Sequence, residues 1–209
     1  MKKNVLLIAT FDTKEEEALF LRKRIEARGF SVITMDTGIL APPRAPVDID
    51  QQQVALSGGV RLQEIVATGD KGKCILNMVQ GARIICKALY DQGSIHGVIS
   101  IGGAQGTEIG CSAMRSLPVG VPRLMVSTVA SGQATFGPYV GTKDITMMHS
   151  VADMQGLNFL TKRILENAAG AICGMIKDFE EDSIRPEGIP VALSMLGTTT
   201  PGALRCKKI

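Results

Sequence analysis

At 209 residues, 45% of them apolar and 21% charged, the chain is long enough for one α/β domain with a sizeable core and the beginning of a second. Two tyrosines, six phenylalanines and no tryptophan leave little aromatic surface for stacking bases, and a net charge of +3 is too small to mark a nucleic-acid or membrane partner. Five scattered cysteines (Cys74, Cys86, Cys111, Cys173, Cys206) form no C-x-x-C pair, the pattern of reduced thiols in a cytoplasmic protein.

Val5–Ala9 is a continuous apolar run, the mark of a parallel strand covered on both faces. It is too short for a signal peptide, and acidic residues follow it directly. After Asp12-Thr13-Lys14 a helix is expected to about Arg28, opened by a capping box of Thr13 with Glu16 and closed by Gly29. Ala18, Leu21 and Ile25 share its apolar face. Ser31–Met35 is the second strand, and the helical crossover between the two makes them parallel.

Three prolines make residues 41–49 an irregular loop. A short helix over Asp50–Leu56 and a short apolar segment, Leu62–Ala67, come next. Ile75, Met78, Val79, Ala82, Ile85 and Leu89 mark one face of a long helix from Lys71 to Gln92, stopped by Gly93. Residues 97–101 are the third strand, Arg123–Val129 the fourth and Ile145–Met148 a fifth. A helix to about Leu117 follows the third, and Leu157–Ile176 is a long helix rich in small residues, packed on the sheet or on a partner subunit. The fold class is therefore α/β, an open, mostly parallel sheet with helices on both faces. Residues 1–177 form the domain. The charged stretch 178–188 reads as a linker, and 189–209 as the truncated start of a second α/β domain.

Candidate chemistry collects at three strand ends. Gly102-Gly103-Ala104-Gln105-Gly106-Thr107 joins a strand to a helix start, the arrangement that cradles phosphate through backbone N–H groups and helix-end charge. It matches neither the lysine-bearing phosphate loop nor the G-x-G-x-x-G fingerprint, and it also satisfies the needs of a tight turn. Asp12, Thr13 and Lys14 lie past the first strand, where open α/β sheets bind ligands; a helix cap and a solvated charge account for them equally well. Ser127–Gly132, with Ser131 and Gly132 at its tip, ends the fourth strand. Lys71 and Lys73 can reach a phosphate, but a solvated helix start is the simpler reading. Two histidines without ligand spacing argue against a zinc site, and no G-x-S-x-G elbow is present. A nucleotide's magnesium needs one or two carboxylates, and Asp12, Asp36 and Glu108 qualify by position alone.

Five collinear stretches, at 10–29, 97–107, 113–132, 138–153 and 157–175, resemble the Tm-one-like ATP-binding proteins. That family is named for the plant tomato mosaic virus resistance protein and is common in bacteria as an uncharacterised protein family. The resemblance implies a two-part, Rossmann-like protein that binds ATP with magnesium and forms dimers. It carries ligand contact to Asp12, Thr13, Lys14, Gly102, Gly103, Gly106, Thr107, Ser131 and Gly132. Ala104 and Gln105 stand where the family's loop has a serine and a glycine. Family members continue beyond the G-T-T-T-P of residues 197–201, so the expectation is an N-terminal portion or a truncated member. Three functions stay open: a nucleotide-binding module, an enzyme acting on a small phosphorylated or carboxylated metabolite, and a dimerising interaction subunit.

Overall fold

In the computed structural model, five parallel strands form one sheet in the order β2-β1-β3-β4-β5. They are β1 (Asn4–Ala9), β2 (Ser31–Asp36), β3 (Gly97–Gly102), β4 (Arg123–Ser127) and β5 (Thr146–His149). The structure describes residues 2–131, 137–179, 188–189, 193 and 195–206. Successive side chains on a strand face opposite ways, so a strand covered on both sides must be apolar throughout. Leu6 and Ile8 of β1 join Val98 and Met125 in one core cluster. Val5, Leu7 and Ala9 join Ile99, Ile101, Leu124 and Val126 in the other.

The first face is covered by α2 (Gln51–Ser57), α3 (Leu62–Ala67), α4 (Lys71–Asp91) and α5 (Ala104–Arg115). The second is covered by α1 (Phe11–Glu26) and, after the short α6 (Gly137–Val140), by α7 (Phe159–Asp178). This is the doubly wound, Rossmann-like architecture. Leu165, Ala168, Ala169, Ile172 and Ile176 of α7 are buried in that second core. That face of the helix is therefore used within the domain, while Gly170 and Gly174 are exposed.

The helix starts follow local chemistry. Asp50 caps α2 in a reciprocal box with Gln53, Asp70 accepts from the Lys73 N–H at the start of α4, and Asn158 boxes with Thr161 on α7. The segment Leu62–Ala67 is helical. The capping box expected of Thr13 and Glu16 does not form. The chain turns helical at Phe11 and kinks at Lys14 (φ −130°, ψ 24°), and the Thr13 hydroxyl lies 3.1 Å from that of Thr10. Thr13 thus sits inside the first turn, where its side chain cannot serve as the N-cap.

Fully buried Arg123 joins α5 to β4. It donates to the carbonyls of Met114 (3.0 Å), Val121 (3.0 Å) and Pro118 and pairs with Asp144 at 3.0 Å. β4 stops at Ser127, two residues before the expected end, because Thr128 and Val129 turn away. The chain divides into two compact units, Met1–Phe179 and Glu180–Ile209. In the second unit α8 (Thr200–Cys206) is described, while most of the strand expected over 189–196 lies outside the described residues. Cys74, Cys86, Cys111 and Cys173 are buried free thiols, and Cys206 is exposed. Among the described residues no helix is long and apolar enough to cross a membrane.

α2 and α4 touch at Gly81, where a Cβ would collide with the Val54 carbonyl oxygen. Gly81→Ala is expected to force these helices apart and cost about 1–3 kcal/mol, read as a lower midpoint in urea denaturation.

Candidate functional site

In a 2-1-3-4-5 sheet the connections leave β1 and β3 toward opposite sides, and a crevice opens beyond their carboxyl ends. The residues after β1 are Thr10–Lys14, and those after β3 are Gly103–Gly106. Both groups line one cavity of about 370 Å³, joined by Ile39, Leu40, Lys71 and Asp153. The sheet topology thus brings two stretches 90 residues apart in sequence onto a single crevice.

The glycine loop is shaped by close approach. A Cβ on Gly102 would lie 2.7 Å from the Gly106 Cα, so the loop folds over itself only with glycine there. Gly103 is the N-cap of α5, and no side chain caps the helix. Its first-turn N–H groups therefore have no partner within the helix, and the positive end of the helix dipole faces the cavity.

Of the residues expected to contact ligand, Asp12, Thr13, Lys14, Gly103 and Gly106 line this cavity. Gly102 and Thr107 are buried behind it, and the Thr107 hydroxyl is spent on Ser127 Oγ at 2.7 Å. Ser131 is exposed and outside the lining, and Gly132 lies outside the described residues. Lys71, read from sequence as a solvated helix start, reaches the cavity because α4 begins at its rim. Asp153 had no signal in the sequence. It follows β5 after a strained turn in which Val151 takes φ +64° and the Ala152 N–H bonds the Ser150 carbonyl at 2.7 Å.

Two aspartates brace the wall opposite the glycine loop. Asp12 Oδ2 accepts the Ile39 and Leu40 N–H groups at 2.9 and 3.0 Å. Asp36 Oδ1 accepts those of Phe11 and Gly38 at 3.0 and 2.8 Å. Gly38 is required here, since a Cβ would stand 2.7 Å from Asp12 Cγ. The other oxygens, Asp12 Oδ1 and Asp36 Oδ2, are buried without a hydrogen-bond partner. Burial pushes the Asp36 carboxyl up to about 6, two backbone donors pull it down, and the charges of Asp12 and Asp50 add to the rise.

A second cavity, about 350 Å³, shares Asp12 and Thr13 but is walled by Glu15, Glu16 and Glu17. Glu15 accepts from the Ala45 and Arg44 N–H groups and pairs with the Arg44 side chain, which hold its carboxyl below the usual range. That surface is predominantly acidic, whereas the first cavity sets Lys14 and Lys71 beside Asp12 and Asp153. Among the described residues no three His, Cys, Asp or Glu side chains converge to hold a metal. Asp36 is fully buried, Glu108 faces Arg115 at 3.6 Å, and of the three carboxylates suggested by position only Asp12 lines this cavity.

Because the folded protein holds the Asp36 proton up to about 6, against 3.8 for the free side chain, its contribution to stability is complete below 3.8 and lost as pH rises through 6. The unfolding free energy is expected to fall by about 1.4 kcal/mol from pH 5 to 7.5 through this group, and Asp36→Asn to remove that slope in urea titrations at each pH.

The family model described as the uncharacterised protein family (UPF0261) N-terminal domain matches residues 3–181. The chain is similar to a UPF0261 protein of Clostridium tetani, 40% identical over 202 residues that cover 97% of this chain and 49% of that protein. A UPF0261 protein of Rhizobium meliloti is 38% identical over 200 residues, 95% of this chain and 48% of its own. The ToMV resistance protein Tm-1(GCR237) of Solanum lycopersicum is 32% identical over 216 residues, 94% of this chain and 28% of that protein. The chain spans about half the length of the bacterial relatives. With that model covering most of its residues, the chain belongs to the UPF0261 family, through the family's N-terminal domain.

Proposed function

We propose that this domain binds the phosphate groups of a nucleotide, ATP being the ligand the family resemblance implies, in the crevice between the β1–α1 turn and the start of α5. One observation carries the reading: the uncapped N-terminus of α5 opens into a cavity that also holds Lys14 and Lys71. First-turn N–H groups supply oriented donors, and the two ammonium groups supply charge that a phosphate neutralises. Magnesium arrives with the nucleotide, since the described residues build no metal site of their own. Thr107 acts from behind, through Ser127, to hold β4 against the first turn of α5.

No reaction is assigned. An enzyme acting on a phosphorylated or carboxylated metabolite would use the same donors, and the two readings part on ligand identity. A homodimer, also implied by the resemblance, would use a surface other than the core-facing side of α7. We place the protein in the cytoplasm on its free thiols.

Calorimetric titration with Mg-ATP is expected to show saturable binding, and Lys71→Ala to weaken it about tenfold, the loss of one charge-assisted contact. No heat at millimolar nucleotide, with a thermal shift from a sugar phosphate instead, would transfer the site to the metabolite reading. Gln105 lines the cavity from the first turn of α5, so Gln105→Gly is expected to tighten nucleotide binding by clearing its side chain, measured in the same titration.

A further inference from the structure

The brace beneath the cavity carries more negative charge than its hydrogen bonds satisfy. Asp12 and Asp36 together accept four backbone N–H groups, all through one oxygen each. The remaining oxygens, Asp12 Oδ1 and Asp36 Oδ2, are buried and bare, and neither carboxylate forms an ion pair among the described residues. Asp36 has no solvent exposure at all. A buried carboxylate left half-satisfied is costly when ionised and relieved by a proton on the bare oxygen. Only Oδ2 needs that proton, so the bonds from Oδ1 to Phe11 and Gly38 survive it.

The charged groups acting on Asp36 are Asp12, from the start of α1, and Asp50, the N-cap of α2, both acids. Asp12, Ile39 and Leu40 of the same brace line the cavity. An anion entering there adds a third negative charge to this set.

Resting on the anion-site reading above, we propose that Asp36 is a proton-linked regulator of the cavity, ionised at neutral pH when the site is empty and taking a proton on Oδ2 as an anion binds. Asp36 already holds its proton up to about 6, so the exchange falls between mildly acidic and neutral pH. By linkage, the site binds anions more tightly as pH falls through that range, and a bound anion raises the affinity of Asp36 for its proton. Asp36 is absent from the cavity lining and acts through the brace, which makes it a positioning residue.

Sulfate is the suitable probe, because it stays a dianion across the range while phosphate groups titrate within it. The 209-residue chain is expected to bind sulfate roughly threefold to tenfold more tightly at pH 5.5 than at 7.5, the scale of like charges near one another at a protein surface. Asp36→Asn is expected to bind with a flat profile. On the wild-type chain, the carbon-13 shift of the Asp36 carboxyl is expected to titrate near 6 and to move to higher pH with sulfate. An equal pH slope in both proteins, or an Asp36 midpoint that sulfate leaves in place, overturns the regulator while the anion site stands. No sulfate binding at any pH overturns the site itself and the regulator with it.

Discussion

Burial of a parallel sheet on both faces is the constraint from which the rest of this domain follows. Once Leu6 and Ile8 face one helical layer and Val5, Leu7 and Ala9 the other, every backbone N–H and C=O along the strand must bond within the sheet. Groups left over accumulate where strands end and helices begin. Polar chemistry in such a protein is thereby confined to its two rims. The order β2-β1-β3-β4-β5 then selects one position on the carboxyl rim, between β1 and β3, where the connections diverge and leave a gap.

The gap is built with opposed electrostatics. On one wall the glycine loop turns the bare N–H groups of α5 and the positive end of its dipole inward, with Lys14 and Lys71 beside them. On the other, Asp12 and Asp36 hold the turn at 36–40 by four N–H bonds and leave two oxygens unmatched. Buried polar groups are as a rule paired, and Asp12 Oδ1 and Asp36 Oδ2 are exceptions to that rule beside this crevice. The acidic cavity next to it shares Asp12 but is walled by Glu15, Glu16 and Glu17 in place of a helix start.

Close packing fixes the shape of this rim as firmly as charge does. Gly102 against Gly106 and Gly38 against Asp12 are contacts that any side chain would break. Each brings backbone within reach of a cavity wall. The strained Val151 turn does similar work after β5, delivering Asp153 to the rim. Thr107 and Ser127 share a buried hydroxyl pair that pins α5 to β4 just below the glycine loop. Their contribution is rigidity, although their residue types suggested ligand contact.

Much of the fold was legible in the chain, because apolar runs and helical periodicity are local consequences of burial. β1, β3, α4 and α7 end within a few residues of where the pattern placed them. The stretch Gly102–Thr107 was legible as a glycine-rich passage from a strand into a helix start through composition alone. The sequence left open which loops meet. Hydrophobic pattern carries no strand order, and strand order brought Lys71 and Asp153 into the cavity while leaving Thr107 and Ser131 outside its lining. Nor could it show that Asp12 and Asp36 brace one turn with two oxygens bare, because a carboxylate's environment is set by the backbone folded around it. The residues determined a buried parallel sheet and a glycine-rich rim; the tertiary structure decided which side chains face one another across it.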